Sequence, residues 1–336
     1  MLQRRTLVLG VAAGLATPLS FPLAADRSPY WSMGPELPAH VQEIYPVLHR
    51  GRIHVAGGFR AILGQITGPT DNHYALDTGT GKWSELCALP QALHHPQLVS
   101  FGDDLYCLGG FSSPGPSRIW VMSGEVWRYD DDKDTWDDHA ALPFPAAECM
   151  AGVLSSGLHL CGGRRPGDDN AASWEDHIDT DMHIYRPSGN DQWQPAAPLP
   201  VARNSAASAV ISDNLHVVGG RTVQRVNLAH HHVYDPAEDR WRTAAPMPLA
   251  QAGLAAVSAG GALFAFGGEA IGKDKRVFAE CWRYDSTHDA WSALPDMPHP
   301  RHGLGAVALE SRIYLIGGAL SVGGKDTSDL VEIFNI

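Results

Sequence analysis

Six strand-like runs along the chain each end in two adjacent glycines. Glycine in a strand gives up side-chain packing and costs backbone entropy, so a repeated pair indicates places where another backbone comes too close for a side chain. The six runs are RIHVAGGF (52–59), DLYCLGGF (104–111), GLHLCGGR (157–164), NLHVVGGR (214–221), ALFAFGGE (262–269) and RIYLIGGA (312–319). The sequence therefore predicts a repeated unit whose copies all approach a neighbour at the same point.

A constant frame precedes each glycine pair. A proline stands nineteen residues before the first glycine, and a tryptophan stands seven residues before that proline, in all six copies. The frames begin at Trp31 and Pro38, Trp83 and Pro90, Trp136 and Pro143, Trp193 and Pro200, Trp241 and Pro248, and Trp291 and Pro298. Successive glycine pairs lie 48 to 57 residues apart, and a period near 50 residues resembles that of the kelch repeat.

Each of the five segments between a glycine pair and the next tryptophan contains a tyrosine followed by a turn. The turns are rich in Asp, Gly and Asn and separate two aromatic-bearing runs, which predicts a hairpin and hence four strands per repeat. The tyrosines are Tyr74, Tyr129, Tyr185, Tyr234 and Tyr284. The resemblance to kelch repeats covers residues 30–336 and implies an all-β fold, a six-bladed kelch β-propeller.

The two ends of the repeat region complement one another. Trp31 has no glycine pair before it, whereas Gly317 is followed by Phe334 and by no further tryptophan. We therefore expect the strand around Trp31 to complete the last blade by pairing with the C-terminal strand. This closure would protect strand edges that otherwise favour aggregation.

Residues 1–25 form a candidate export signal, and residues 26–336 form the expected propeller. The segment begins with Arg4 and Arg5, continues with an apolar stretch interrupted by Pro18 and Pro22, and ends in small residues before Asp26. This pattern indicates a cleaved signal rather than a membrane span. The arginine pair resembles the twin-arginine export motif, with an ordinary secretory signal as the alternative. The sequence thus predicts a periplasmic or secreted protein.

Charge and cysteine content exclude several classes of function. The chain has a net charge of −12, which argues against nucleic acid or an anionic membrane as its main partner. Its five cysteines are an odd number with no CxxC motif, so they predict neither a disulfide framework nor a zinc site. We expect them to pack as small apolar side chains.

The functional face is expected where loop length varies, because function tends to follow such loops. The segments after the glycine pairs differ in length, while the frame from tryptophan to glycine does not. In the kelch propellers that the chain resembles, the residues three to five positions after each proline ring the mouth of the central channel. A second ring follows the glycine pairs. The candidate ligand-binding residues are Arg203, Arg301, Arg221, Arg164, Asn204 and Gln251, and the candidate catalytic residues are Glu43, Glu148, His94 and His302.

These residue types suit a small acidic ligand. A guanidinium group matches a carboxylate with two hydrogen bonds, so Arg203, Arg301 and Arg221 are expected to clamp an acidic group. One of the candidate glutamates would act as a general base, and one of the candidate histidines as an acid near neutral pH. The alternative is that the arginine and histidine side chains bind carbonyl groups of the next blade and only stabilise the ring.

The longest loop suggests a metal site. In SWEDHIDTDMH (173–183), Glu175, Asp179 and His183 are each four residues apart, a spacing similar to the ferrous-iron site of plant nitrile-specifier proteins. Carboxylate and imidazole ligands suit Fe(II). On an extended chain such neighbours lie roughly 13 Å apart, so the loop would have to fold back, and a solvated acidic loop is the alternative. No other cofactor is expected.

Three consecutive histidines, His230 to His232, precede the tyrosine of the fourth repeat. On a strand, alternate side chains point to opposite faces, so only His230 and His232 could act together. His232 is expected to be equivalent to His183, in a slot where other repeats have tryptophan. This placement predicts packing between blades rather than metal binding.

Exported bacterial kelch propellers of this length resemble N-acetylneuraminate epimerase-like proteins, which interconvert sialic acid anomers. The resemblance implies a propeller that binds a small, acidic carbohydrate in its central funnel and exchanges its anomers, since ring opening needs only a base and an acid. The alternative is a non-catalytic module that binds a protein or a glycan, because one fold hosts many functions. A third, minor alternative is an Fe(II)-dependent, specifier-like lyase.

Overall fold

The computed structural model describes residues 30–62, 65–113, 119–273 and 275–336. The candidate export signal, residues 1–25, lies outside the described residues. Six four-stranded antiparallel sheets account for most of the described strands. We number these sheets as blades I to VI and name their strands first to fourth from the axis outwards.

Each blade uses the strands that the tryptophan and glycine frame predicts. Blade I contains Val47–His49, Arg52–Ala56, His73–Asp77 and Lys82–Leu86. Blade II contains Gln97–Phe101, Asp104–Leu108, Val126–Asp130 and Thr135–His139. Blade III contains Met150–Leu154, Gly157–Cys161, His183–Arg186 and Gln194–Pro195.

The second half of the chain repeats this order. Blade IV contains Ala207–Ile211, Asn214–Val218, His231–Asp235 and Arg240–Thr243. Blade V contains Ala255–Ala259, Ala262–Phe266, Cys281–Asp285 and Ala290–Leu294. Blade VI contains Gly305–Leu309, Arg312–Ile316, Val331–Asn335 and Trp31–Met33.

The predicted closure of the ring is confirmed. Trp31 pairs with Phe334 and Met33 with Glu332 in an antiparallel register, so the two ends of the chain share blade VI. The first strand of each blade neighbours the first strand of the next, and the first strand of blade VI neighbours that of blade I. The fold is therefore a six-bladed β-propeller with no open end.

The glycine pairs join each blade to the next. In all six pairs, the N–H of the second glycine donates to the carbonyl of the residue three positions after the proline that leads into the next blade, at 2.8–2.9 Å. A Cβ on the first glycine would collide with the same carbonyl, for example 2.3 Å from the oxygen of Ala146 at Gly109. The close approach inferred from the sequence is thus a main-chain hydrogen bond between blades.

A second joint, here called the seam lock, connects the outer strands of neighbouring blades. It consists of a tyrosine at the end of the third strand, an aspartate five residues later and a tryptophan seven residues later. The tyrosine O–H and one main-chain N–H of the preceding blade both donate to the aspartate, and the tryptophan indole N–H donates to the carbonyl of that same residue. Complete locks join blades I–II (Tyr129, Asp134, Trp136), III–IV (Tyr234, Asp239, Trp241) and IV–V (Tyr284, Asp289, Trp291).

Two of the predicted tyrosines do not occupy the lock position. The residue paired with the second strand at this position is Leu76 in blade I and Arg186 in blade III. Tyr74 and Tyr185 lie two residues and one residue earlier, so their expected equivalence with the other tyrosines is wrong. The seven-residue spacing to the tryptophan, which Leu76 and Arg186 keep, identifies the correct position.

Blades I, III and IV each bury a pair of histidines between the second and third strands. The ring nitrogens are 2.9–3.0 Å apart in the pairs His54–His73, His159–His183 and His216–His231. His231 rather than His232 is therefore equivalent to His183, which corrects the sequence alignment by one residue. The packing position expected for His232 is occupied by His231, which is fully buried.

Shorter elements build the face that carries the long loops, here called the loop face. They are Val41–Gln42, Phe59–Ile62, Gln65–Pro69, Phe111–Ser112, Ile119–Met122, Arg164–Arg165, Ala172–Ser173, the 3-10 helix Trp174–Asp176, Ile178–Asp179, Glu269–Ala270 and Arg276–Val277. The turns between first and second strands, and between third and fourth strands, lie on the opposite side, here called the rear face.

Candidate functional site

Six equivalent residues form a ring around the axis, here called the axial collar. Each is the fifth residue after the proline of the constant frame, and each has a left-handed backbone with φ between 49° and 64°. The collar consists of Glu43, His95, Glu148, Ser205, Gly253 and Gly303. Main-chain N–H groups of the collar donate to the carbonyl of the adjacent collar residue, for example from Gly303 to Gly253 at 2.8 Å. The left-handed turn aims the side chains of the non-glycine members at the axis.

A cavity of about 400 Å3 opens above the collar on the loop face. Its floor and walls combine carboxylates, one imidazole, guanidinium groups and large apolar side chains, which is the mixture typical of small-ligand sites. The lining residues are Gln42, Glu43, Phe59, Ile66, His95, Trp120, Glu148, Trp174, Glu175, Arg221, Arg225, Glu269, Ile271, Gly323 and Gly324.

Glu43 and His95 form an ion pair in the floor of this cavity. His95 Nε2 lies 2.9 Å from Glu43 Oε2. Burial alone would raise the pKa of Glu43, but the charge and hydrogen bond of His95 lower it to about 2. Burial alone would likewise lower the pKa of His95, but the Glu43 carboxylate raises it above its ordinary value. At neutral pH the pair therefore favours a carboxylate next to an imidazolium.

His94, a predicted catalytic residue, lies behind this pair rather than in the cavity. It is fully buried, with its ring stacked between Phe59 and Phe111 at centroid distances of 3.8 and 5.0 Å. Its Nδ1 lies 2.7 Å from Nδ1 of His95. Burial and the neighbouring His95 lower the pKa of His94 well below its ordinary value, so His94 is a neutral hydrogen-bond partner that orients His95.

Glu148 forms the second acidic position of the floor. Its carboxylate accepts the Ser205 hydroxyl at 2.9 Å and lies 3.4 Å from Nε of Arg164. Burial alone would raise the pKa of Glu148, but the charges of Arg164, His95 and Arg221 together outweigh burial and lower the pKa. Arg164 is itself fully buried and lies under the Trp174 ring, 3.8 Å from the ring centroid. It therefore supports Glu148 from behind the cavity wall.

Arg221 and Glu269 form a buried ion pair on the opposite wall, with NH1 2.7 Å from Oε1. Glu269 also accepts the N–H of Gly323 at 2.9 Å. His302, the other predicted catalytic histidine, is buried behind this wall, 3.6 Å from Glu43 and 3.5 Å from Glu269. The structure thus brings His302 close to both carboxylates, although it does not line the cavity.

The structure does not bring Arg203 and Arg301 together as the predicted clamp. Both side chains are fully buried and point into their own blades. Arg203 lies 3.0 Å from His232 Nδ1 and donates to the carbonyl of Val217, while Arg301 lies 3.2 Å from Glu332. Gln251, at the equivalent position, donates to the carbonyl of Gly267 and accepts the indole N–H of Trp282. These contacts match the structural alternative, except that the partners belong to the same blade.

The three candidate iron ligands also lie apart. Glu175 contacts Arg225 at 2.6 Å on the rim of the cavity. Asp179 accepts hydrogen bonds from the side chain of Asn204 and the N–H of Val223. His183 is buried in the histidine pair of blade III. Among the described residues, no group of three or more His, Cys, Asp or Glu side chains is arranged to hold a metal ion.

Sequence reasoning missed several lining residues. His95 and Glu269 were visible in the two predicted rings, and the signal that identifies His95 is the fifth position after the proline. Trp120 and Ile66 come from long loops, where sequence gives no register. Tyr45, two residues after Glu43, lies beneath the collar, and burial and the charges of Glu148 and Glu43 raise its pKa well above the ordinary value.

The fold and the site together define a six-bladed β-propeller with an axial cavity on its loop face. The chain belongs to the kelch-repeat family, since the model for the KLHDC2/KLHL20/DRC7 Kelch-repeats domain matches residues 96–318. Within the described part of the chain, no helix has the length and apolar character needed to cross a lipid bilayer.

Curated relatives share the repeat but extend beyond it. Kelch-like protein terF of Aspergillus terreus is 28% identical over 205 residues, which is 59% of this chain and 42% of terF. Human Kelch-like protein 23 is 26% identical over 199 residues, 57% of this chain and 32% of that protein. The chain thus matches less than half the length of either relative.

A solved structure supports the architecture. The structure of YjhT superposes with a TM-score of 0.74 at 18% sequence identity and covers 90% of this chain and all of that one. At this identity the similarity extends to the fold alone. The observed blade order and ring closure agree with it.

Proposed function

We propose that this propeller binds a small, acidic carbohydrate in the axial cavity and exchanges its anomers, as a sialic acid mutarotase does. The observation that carries the proposal is the Glu43–His95 pair, which places a carboxylate and an imidazolium 2.9 Å apart in the cavity floor. The architectural resemblance to N-acetylneuraminate epimerase-like proteins supports the same reaction class.

The pair supplies both groups that the reaction needs. Anomer exchange requires removal of a proton from the anomeric hydroxyl and delivery of a proton to the ring oxygen. Glu43, ionised at neutral pH, is the base in this proposal, and His95 is the acid. His94 behind His95 fixes the orientation of the imidazole through their ring nitrogens.

Cationic groups on the wall and the rim suit an acidic substituent. Arg221 lines the cavity at its wall, and Arg225 at its rim is partly exposed and paired with the exposed Glu175. A ligand carboxylate could replace Glu175 as the partner of Arg225, because exposed ion pairs contribute little stability. Phe59 and Trp120 offer apolar surface for the sugar ring.

Anomer exchange of N-acetylneuraminate, followed by NMR, tests the proposal. We expect the protein to accelerate exchange over buffer, and Glu43→Gln and His95→Gln each to reduce the acceleration by about 100-fold or more, the typical contribution of acid–base catalysis. The matched control Glu175→Gln changes an exposed carboxylate at the rim and should leave the rate constant at saturation unchanged. Equal acceleration by the wild type and both floor variants would contradict the proposal.

A non-catalytic module that binds a protein or a glycan is the second candidate. Exposed aliphatic side chains lie on five of the loop segments that follow the glycine pairs, and proteins bind exposed apolar surfaces. They are Ile62, Ile119, Ile178, Val226 and Leu320. Thermal stabilisation by acidic sugars without accelerated exchange would favour this candidate.

The iron-dependent alternative gains no support from the positions of Glu175, Asp179 and His183. Metal analysis of anaerobically purified protein, compared with Asp179→Ala, is its direct test. Export remains part of the proposal and rests on the pattern of residues 1–25. Amino-terminal sequencing of protein recovered from the periplasm would show cleavage before Asp26 if the signal works as expected.

A further inference from the structure

A second cleft lies on the rear face, between blades II and III. It encloses about 580 Å3 and shares no lining residue with the axial cavity. The cleft exists where the seam lock is missing. Arg186, Asp191 and Trp193 occupy the lock positions, but the Trp193 indole N–H has no hydrogen-bond partner among the described residues. We refer to this space as the seam cleft.

Arg186 is a built feature of the seam cleft rather than a surface side chain. It is 2% exposed, although it lines the cleft. Its guanidinium carbon lies 4.2 Å from the centroid of the Tyr106 ring and 5.3 Å from that of the Phe101 ring. These ring contacts fix the plane of the guanidinium group, which prepares it to bind an anion with little loss of side-chain entropy.

The anionic partner of Arg186 is weakly held. Asp191 Oδ1 lies 3.8 Å from NH1 of Arg186 and 3.5 Å from Nε2 of His139, both longer than a hydrogen bond of ordinary length, and the Asp191 side chain is 72% exposed. In the complete locks the equivalent aspartate accepts two short hydrogen bonds, one from tyrosine and one from the main chain. Asp191 accepts neither, because the main-chain N–H of Ala140 donates to His139 instead. An incoming anion could therefore displace Asp191 at small cost.

His139 and Arg128 complete the polar lining. Nδ1 of His139 accepts from Ala140 and lies 3.2 Å from Arg186 NH1. Burial and the charge of Arg186 lower the pKa of His139 below its ordinary value, so the ring is neutral and can accept from Arg186. Arg128 has only a long contact with Asp137, 3.9 Å, at the surface. The remaining carboxylate, Asp104, accepts the Tyr106 hydroxyl at 3.2 Å.

We propose that the seam cleft binds a small organic carboxylate that carries an aromatic or other apolar ring. The carboxylate replaces Asp191 at Arg186, and the ring packs beside Phe101 and Pro187, which line the same cleft. This site is independent of the proposed anomer exchange, because it lies on the opposite face of the propeller.

Titration calorimetry of the full propeller with phenylacetate tests the site. The wild type should bind saturably, and Arg186→Met should weaken binding about tenfold or more, since the loss of one charge-assisted contact is of that order. Asp191→Asn should tighten binding because it removes the competing carboxylate. The matched control Arg312→Met removes an arginine near the Tyr314 ring on blade VI and should leave binding unchanged.

Two further variants show which cavity binds phenylacetate and keep the test valid if Arg186→Met does not fold. Arg221→Met in the axial cavity should leave phenylacetate binding intact, and Phe101→Ala should weaken it even if Arg186→Met fails to fold. The proposal is overturned if the wild type does not bind phenylacetate at millimolar concentration. It is also overturned if binding depends on Arg221 rather than on Phe101 and Asp191.

Discussion

Two seams of the propeller have the same spacing of residues but different structures. One lies between blades IV and V, and the other lies between blades II and III. At the IV–V seam, Tyr284 is fully buried and Asp289 accepts both its hydroxyl and the N–H of Ala245, at 2.6 and 2.8 Å. At the II–III seam, Arg186 stands in the tyrosine position and the corresponding aspartate points to solvent. One seam is closed, and the other holds a cleft of about 580 Å3.

The difference shows which part of the repeat maintains the ring. The glycine-pair hydrogen bond is present at every seam, including II–III, where the N–H of Gly110 donates to the carbonyl of Ala146 at 2.9 Å. The outer lock is absent there, yet the ring stays closed. The inner joint is therefore common to all six seams, whereas the outer lock is absent at the seam that holds the cleft.

Tyr284→Ala should have the largest effect on this comparison. Removing a buried aromatic ring from a packed core costs about 3–5 kcal/mol of unfolding free energy. Tyr185→Ala is the matched control, because Tyr185 lies outside the lock position and its hydroxyl contacts only Gln194. Urea denaturation of both variants should show a loss for Tyr185→Ala of less than half that for Tyr284→Ala. Equal losses would mean that the lock position has no special role.

Acid should loosen blade III before blade V. Burial lowers the pKa of His159 to about 3 and that of His183 to about 4, whereas the unfolded chain titrates near 6.5. Their contribution to stability is complete above pH 6.5 and is lost as the pH falls towards 4, by at most about 1.4 kcal/mol per pH unit for each histidine. Blade V has Phe264 and Cys281 at the equivalent positions.

Hydrogen exchange at pH 5 and pH 7, corrected for intrinsic rates, measures this difference. We expect protection in blade III to fall more than in blade V. The double variant His159→Phe, His183→Cys copies blade V and should reduce the pH dependence of stability. A uniform loss of protection across all blades would contradict this assignment.

Asp289→Ala should destabilise the protein more than Asp191→Ala, because the two aspartates have different roles at their seams. Asp289 accepts hydrogen bonds from the Tyr284 hydroxyl and the N–H of Ala245. Each such bond is worth about 0.5–1.5 kcal/mol, so removal of the carboxylate should cost about 1–3 kcal/mol. Asp191 is largely exposed, and its removal should change stability by no more than about 0.5 kcal/mol. Thermal denaturation measures both, and a large effect of Asp191→Ala would show that the open seam is held by its aspartate.

Arg186→Tyr should have a small effect, in the stabilising direction. A tyrosine there can donate to Asp191, and a net gain of about 1 kcal/mol corresponds to one such hydrogen bond. The same change should fill the cleft and abolish phenylacetate binding. Leu76→Tyr is the control, because Gly81 stands at the aspartate position of blade I and the buried site would be overpacked. A gain in both variants would disprove the pairing with aspartate.

The sequence predicted the ring because its frame has no insertions. Trp31 to Gly57 and Trp291 to Gly317 span the same number of residues, so the number of repeats and the complementary ends followed from spacing. The four strands of each blade were predicted from the turn residues and from the resemblance to kelch repeats. The frame did not extend across the variable loops. The tyrosine therefore does not identify the lock position in blades I and III, whereas the fixed distance to the next tryptophan identifies Leu76 and Arg186 there.

The sequence predicted where the cavity lies in the fold, but it predicted less well which side chains point into the cavity. Glu43, Glu148 and Arg221 line the cavity as expected, whereas Arg203 and Arg301 lie two residues before the collar and point into the blades. In an extended segment a shift of one residue reverses the side on which a side chain lies. The left-handed turn at the collar changes the direction of the side chains again. Where glutamate or histidine occupies the turn, the residue type does not predict it.

The axial collar keeps one main-chain path with glutamate, histidine, serine or glycine in its six places. A left-handed backbone costs a non-glycine residue of order 1–3 kcal/mol, which the hydrogen bonds of the ring offset. A side chain can therefore be introduced at Gly253, where an added Cβ meets no atom closer than 3.7 Å, whereas a Cβ at Gly303 would lie 2.8 Å from the Glu43 carboxyl carbon and displace that group. Single substitutions in the collar can therefore change the chemistry of the cavity floor.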